Sequence, residues 1–182
     1  MPMLEQRIQQ QFFESADLLS QAAEALSKPI ADAAQALLGC ITAGGKVMWC
    51  GGTASSALAQ YGAALMVGRF ERERPGLAAL AVGGELEVAA LGAPGDVLVA
   101  ISAATATAPL LVAMRAARAK EMTVVALAGR DNAGLLEYLG ETDVLIAVPH
   151  ERAARIYEAH TVVLHCLCDA VDLQLLGEQE PT

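Results

Sequence analysis

Positive charge is scarce in this chain. Its 182 residues include 12 Lys and Arg against 21 Asp and Glu, which gives a formal net charge of −9. An acidic surface repels the phosphate backbone of DNA and RNA, so the composition argues against direct nucleic-acid binding. A protein partner with a basic surface is compatible with this charge.

Long hydrophobic runs are also missing. No stretch approaches the roughly eighteen uninterrupted apolar residues that a membrane span needs. The segment from Met1 to Glu14 contains Glu5, Arg7 and several glutamines, where a signal peptide would be apolar. We therefore expect a soluble cytoplasmic protein that does not contact a membrane.

The cysteines lack the spacing of metal ligands or redox pairs. The chain has four of them, Cys40, Cys50, Cys166 and Cys168, and each lies in an apolar segment. A single residue separates Cys166 from Cys168, whereas zinc ligands and redox pairs usually have two or more residues between them. We expect buried free thiols, and neither a metal nor another cofactor.

What the chain does have is apolar content and a regular alternation of patterns. Hydrophobic residues make up 54% of it, enough for one sizeable core and a single domain over residues 1–182. Apolar runs typical of buried strands alternate with helical periodicity, which predicts an α/β fold with a parallel sheet. The predicted strands are Val47–Cys50, Leu77–Val82, Asp96–Ser102, Met122–Ala128 and Asp143–Val148.

Long helices are predicted at both ends of the chain. An amphipathic pattern covers Leu4–Leu26 and is broken before Pro29, after which a second helix covers Ile30–Thr42. The sheet does not need the first helix, so its apolar stripe is available for pairing with another subunit. The last helix is predicted over residues 152–176, and the charged run Glu71–Pro75 is interpreted as a solvated corner.

The stretch Lys46–Val67 gives the first indication of a binding site. A short apolar strand meets Gly51-Gly52, and a helical pattern follows, in which Ser55 or Ser56 can cap the helix. The amino end of a helix after such a turn favours an anion. The alternative is that the glycines only make a turn and the hydroxyls only cap the helix.

A second loop of the same kind follows the third predicted strand. In the flavodoxin-like strand order 2-1-3-4-5, strands one and three are neighbours and their terminal loops converge. Hydroxyls and a glycine in the two loops form a candidate cradle for a phosphorylated small molecule, although threonines beside a helix start also act as simple caps. The candidate binding residues are Gly51, Thr53, Ser55, Ser102, Thr105 and Thr107.

Several ordered motifs together resemble the sugar isomerase (SIS) domain family. They are Lys46–Ser55, Arg69–Pro75, Gly95–Ser102, Met122–Gly129 and Arg155–His160. The resemblance covers Leu4 to Leu176 and is strongest for the branch that contains phosphoheptose isomerase and the DnaA initiator-associating protein, DiaA. It implies a three-layer α-β-α sandwich around a five-stranded parallel sheet, and a homotetramer with clefts between subunits that the long terminal helices pack across.

The resemblance also implies roles for four positions. In the isomerases of this family, a His and a Glu four residues apart on the helix after the first strand bind a metal, and the Glu also moves a proton. Tyr61 and Leu65 occupy these positions here. Tyr157 stands for a Gln of the last helix, and His165 matches its His. Leucine can neither bind a metal nor move a proton, so metal-assisted isomerisation is expected to be lost, with His165 as a vestigial catalytic candidate.

Other parts of the expected site are reduced. The family's phosphate loop, Ser-Thr-Ser-Gly-Asn-Ser, corresponds to Ser102–Thr107, which keeps hydroxyls in register only at its two ends. The polar connection after the second strand is shortened to Gly83–Pro94. The resemblance therefore implies a phosphosugar-binding site with few polar groups.

A scaffold function fits these losses. The initiator-associating protein also lacks the metal-binding Glu, and its charged corner and Cys-Leu-Cys-Asp motif are similar to Arg69–Pro75 and Cys166–Asp169. The resemblance implies a non-catalytic homotetramer that binds the replication initiator DnaA and promotes its assembly at the origin, with residual phosphosugar binding. Leu175 and Leu176 are candidate partner contacts, or else helix-end core packing. The alternatives are a phosphoheptose isomerase acting on sedoheptulose 7-phosphate and a sugar-phosphate-binding regulator.

Overall fold

The computed structural model of the protein describes residues 2–178, so residues 1 and 179–182 of the predicted domain lie outside it. Helices and strands alternate after a long first helix. In chain order they are α1 Pro2–Thr42, β1 Val47–Gly51, α2 Ser55–Val67, β2 Ala79–Val82, α3 Glu85–Leu91, β3 Val97–Ile101, α4 Ala108–Ala119, β4 Thr123–Ala128, α5 Ala133–Leu136, β5 Val144–Ala147 and α6 Ala153–Leu176.

The five strands form one parallel sheet in the order β2-β1-β3-β4-β5, as predicted. Alternate residues of each strand point to opposite faces. Val47 and Trp49 pack into a core with α1, α2 and α6, whereas Met48 and Cys50 pack into a second core with α3, α4 and α5. The result is a three-layer sandwich in which α2 and α6 lie in the same layer.

The first helix is longer than predicted. α1 runs for 41 residues with Pro29 inside it, so the predicted break before Pro29 is wrong. Proline removes one backbone hydrogen bond, and a helix normally kinks or ends there. Leu26 before it and Ala33 and Leu37 after it are all buried in the core shared with α6. Tertiary packing on both sides of Pro29 therefore outweighs the lost hydrogen bond.

The connection Gly83–Pro94 contains a helix that the sequence pattern did not indicate. α3 is seven residues long, and Val88 is its only fully buried residue within the described chain. One apolar anchor in so short a segment gives no periodicity to detect.

The last helix, α6, is long and apolar enough to cross a membrane by length and composition alone. Nearly half of the apolar stretch of α6 is buried inside the fold, and the apolar stripe of the helix packs against α1 and the sheet. The helix thus contributes one face to the core.

Two interpretations of side-chain burial need correction. The corner Glu71–Pro75 is not wholly solvated, because the side chain of Arg74 is 1% exposed and its Nε donates to Asp172 Oδ1 at 2.5 Å. Of the four cysteines, Cys166 is exposed and only the other three are buried.

Trp49 explains why α2 carries a glycine in its middle. A Cβ on Gly62 would lie 2.6 Å from Cε3 and Cζ3 of the Trp49 ring, which has no exposed surface. Gly39, in α1, has no atom within 4 Å of an added Cβ.

We predict that Gly62→Ala lowers the free energy of unfolding by about 1–3 kcal/mol, because it overpacks the Trp49 ring. Gly39→Ala is the matched control and should raise that free energy by about 0.5–1 kcal/mol through helix propensity alone. Urea denaturation of both variants measures the difference. Equal stabilisation of the two would contradict the close contact.

Candidate functional site

The two predicted binding loops meet at the carboxyl edge of the sheet. Gly51 of β1 pairs with Ile101 of β3, and the Gly52 amide donates to the Ile101 carbonyl at 3.2 Å. A Cβ on Gly52 would lie 2.8 Å from Thr107 Oγ1, so the second loop touches the first. The convergence expected from the strand order is present.

The predicted binding residues are placed differently within this edge. A Cβ on Gly51 would lie 2.2 Å from the Ser55 carbonyl oxygen, so no side chain fits there. Thr105 is exposed, whereas Ser102 is buried and donates from Oγ to the Ala104 carbonyl at 2.8 Å. The Ser102 hydroxyl is thus already hydrogen-bonded within its own loop. Thr107 precedes α4 without making a side-chain capping bond.

The start of α2 also differs from the prediction. Ala54 occupies the capping position, and neither Ser55 nor Ser56 caps the helix. The buried Ser55 instead donates from Oγ to the Tyr157 hydroxyl at 3.3 Å. The amides of Ser55 and Ser56 bond to the carbonyls of Gly52 and Thr53, which closes the turn on itself.

The seam where α2 and α6 meet, called the groove below, runs away from this edge. Both helices follow parallel strands, and polar contacts join them in the same order along each. Ser55 contacts Tyr157, Tyr61 Oη lies 2.8 Å from His165 Nε2, and Arg74 bridges the end of α2 to Asp172. Arg74 completes the bridge by donating to the Leu65 carbonyl at 3.0 Å and the Met66 carbonyl at 2.9 Å.

The middle contact is an aromatic cluster around His165. The Phe70 ring stacks on the imidazole at 5.3 Å between centroids, and the Tyr61 ring meets it edge-on at 5.7 Å. His165 is half-buried, and Tyr61 keeps 40% of its surface exposed. An imidazole and a phenol thus face a solvent-accessible groove with one hydrogen bond between them.

The donor set of the groove does not fit a divalent metal. Metal sites of proteins use imidazole, thiolate and carboxylate ligands, usually three or four of them. Tyr61, Leu65, Tyr157 and His165 supply one imidazole, two phenols and a hydrocarbon. Across residues 2–178, no group of three or more His, Cys, Asp and Glu side chains could hold a metal ion.

Two other reactive groups near the sheet are not available for proton transfer. Burial lowers the pKa of His160 to about 4, and its Nε2 lies 3.2 Å from the Ala128 carbonyl. Burial, together with the nearby Glu87 carboxylate, raises the pKa of the Cys50 thiol to about 11. His165 is therefore the imidazole that faces the groove.

Arg74, Asp172 and Phe70 were missed as contributors to the site. Asp172 gives the clearest signal, since it interrupts the apolar stripe of α6 and has no exposed surface. Leu175 and Leu176, the predicted partner contacts, are exposed near the end of α6.

Comparison with known proteins agrees with the fold. The SIS domain family model matches residues 11–90. The phosphoheptose isomerase of Methylibium petroleiphilum is 57% identical over 200 residues, covering all of both chains. The chain belongs to the phosphoheptose isomerase branch of the SIS-domain family.

Solved structures support this membership. The phosphoheptose isomerase GmhA of Neisseria gonorrhoeae superposes with a TM-score of 0.86 at 37% identity, covering 93% of this chain and 98% of that one. The Francisella tularensis enzyme gives a TM-score of 0.88 at 33% identity, covering 94% and 99%. The Methylibium alignment spans 200 residues against 182 here, so that relative has positions that this chain lacks.

The expectation of a non-catalytic scaffold that binds DnaA is wrong. The curated relatives, including the Thiobacillus denitrificans protein at 44% identity over 97% of this chain, are named phosphoheptose isomerases, and nothing among the relatives or structures points to an initiator partner. The expectation that the chain is not an enzyme falls with it. Both rested on the loss of metal ligands at Tyr61 and Leu65.

Thr53 is strained in the turn between β1 and α2. Its φ is +45°, in the left-handed region, which is unfavourable for a β-branched residue. We predict that Thr53→Gly raises the free energy of unfolding by about 1 kcal/mol, because relief of this strain exceeds the added entropy of the unfolded chain.

Thr105→Gly is the control for Thr53→Gly, since Thr105 has ordinary backbone angles and should only lose stability. Thermal unfolding of the two variants provides the measurement. Destabilisation by both would mean that the turn tolerates threonine without strain.

Proposed function

We propose that this protein is a phosphoheptose isomerase, which interconverts the ketose sedoheptulose 7-phosphate and its aldose isomer. The relation to the Methylibium isomerase, 57% identical along the whole of both chains, carries the proposal. The half-buried imidazole of His165 supports it, because a linear substrate that starts at the glycine turn can reach it along α2.

The spacing of the groove suits a phosphorylated sugar in an extended conformation. Tyr61 lies about 9 Å along α2 from Ser55, at a rise of 1.5 Å per residue, which is comparable with the length of a seven-carbon chain. In our proposal the phosphate lies at the carboxyl edge, near Thr53 and Thr107. The carbonyl end of the sugar then reaches Tyr61 and His165.

The chemistry needs a group that moves a proton between neighbouring carbons. Aldose–ketose isomerisation through an enediol removes a proton from one carbon and returns it to the next, and an imidazole near neutral pH suits both steps. His165 is held for this role by the stacked Phe70 and by Tyr61. The proposal therefore assigns His165 as the general base.

We also propose a cytoplasmic homotetramer. Along the first turns of α1, Leu4, Ile8 and Phe12 are exposed on one side. Further along, an apolar groove of about 380 Å³ between α1 and α6 is lined by residues such as Leu26, Ile30 and Val162. Covering both surfaces with second copies of the chain removes them from water. Light scattering should give four chains per particle, and a monomer at micromolar concentration would contradict the assembly.

We predict that the protein isomerises sedoheptulose 7-phosphate and that His165→Ala lowers kcat by about 100-fold or more, the usual contribution of a general base. Gln174→Ala, exposed on the same helix, is the control and should leave kcat unchanged. A coupled assay of aldose formation measures both. Absence of turnover by the wild-type protein would contradict the proposed function.

A further inference from the structure

The phenol of Tyr61 is placed to do more than orient His165. Its oxygen lies 2.8 Å from His165 Nε2, and 40% of the residue is open to solvent. Leu65, one helical turn further along α2, is partly buried against the core and offers no polar atom. A substrate entering here meets one acid and one base side by side, and a hydrocarbon wall next to them.

The same residues leave little to hold a metal. Of the side chains at positions 61, 65, 157 and 165, only His165 is an imidazole, and none is a carboxylate or a thiolate. The next polar side chain along the groove, Tyr157, accepts a hydrogen bond from Ser55 at 3.3 Å, and it offers a neutral phenol rather than a carboxylate. Polarisation of the substrate carbonyl must therefore come from a hydrogen-bond donor, and the Tyr61 phenol is the donor next to the base.

We propose that Tyr61 is a catalytic acid and that the Tyr61–His165 pair performs the isomerisation without a divalent metal. This inference rests on the proposed function. It adds a named proton donor and replaces the metal-assisted chemistry that the family resemblance implies.

The proton transfers balance. The substrate enters between the two side chains and replaces the hydrogen bond that joins Tyr61 to His165 in the free protein. His165 Nε2 then takes a proton from C1 of the ketose, the C1=C2 double bond forms, and the carbonyl oxygen on C2 takes the Tyr61 proton. The enediol then lies beside an imidazolium and a phenolate, whose opposite charges stabilise each other in a partly buried site. In the second step the phenolate takes the proton of the C1 hydroxyl, the C1 carbonyl forms, and the imidazolium returns its proton to C2.

Tyr61→Phe tests the acid directly, because it keeps the ring that packs on His165 and removes only the hydroxyl. We expect kcat to fall by about 100-fold with little change in KM, as for loss of a proton donor. Tyr138→Phe is the matched control, since Tyr138 packs in the core on the opposite face of the sheet, and it should retain wild-type kcat. Wild-type kcat in Tyr61→Phe would overturn the assignment.

Zinc binding tests the metal-free chemistry without reference to turnover. Isothermal titration of the wild-type protein with Zn²⁺ should show no stoichiometric binding. His165→Ala should give the same result. The double variant Tyr61→His with Leu65→Glu is the positive control, because it adds an imidazole and a carboxylate one turn apart beside His165. Stoichiometric zinc on the wild-type protein, lost in His165→Ala, would overturn the inference.

Activity with and without a metal separates this inference from the proposed function. We expect equal turnover in excess chelator and in added Zn²⁺. Turnover that is lost in chelator and restored by zinc would overturn the metal-free mechanism and keep the isomerase. No turnover under either condition would overturn both.

Discussion

The site depends on the alignment of α2 with α6, and the buried pair of Arg74 and Asp172 fixes that alignment. Each side chain is 1% exposed, and Arg74 also donates to the last carbonyls of α2. Removing one partner of a buried pair typically costs about 3–5 kcal/mol, because the other charge is left without compensation. A sliding or rotation of α2 would break this bridge first. The Arg74–Asp172 pair thus helps to hold together the two helices that bring Tyr61 within hydrogen-bond distance of His165.

The parallel sheet could be predicted because each strand is a short apolar run followed by a helical pattern, whereas its strand order follows only from analogy with flavodoxin-like sheets. The ends of the helices could not be predicted. Pro29 and the single anchor Val88 each gave the local signal of a break or a loop, while the packing that decides both lies far away in sequence. Likewise, Arg74 resembled its charged neighbours in sequence. Only its contact with Asp172 distinguishes it from a solvated arginine.

The site itself was predicted in part. Neighbouring strands had to bring the loops after Gly51 and Ile101 together, and they do. The error lay in the step from residues to function. Loss of His and Glu at positions 61 and 65 was interpreted as loss of the reaction, whereas the relatives that share this fold along its whole length are named isomerases. A missing ligand excludes a metal at that position, but it does not exclude another proton donor there.

The replacement at both positions is consistent with a single change of mechanism. A glutamate at position 65 without its metal would be an uncompensated carboxylate in a partly buried groove, which is costly and would repel a phosphorylated substrate. Leucine removes that charge. A phenol at position 61 likewise adds no fixed negative charge beside His165, although the chain as a whole carries −9. The anionic sugar of the proposed function is therefore not opposed by a carboxylate at either position.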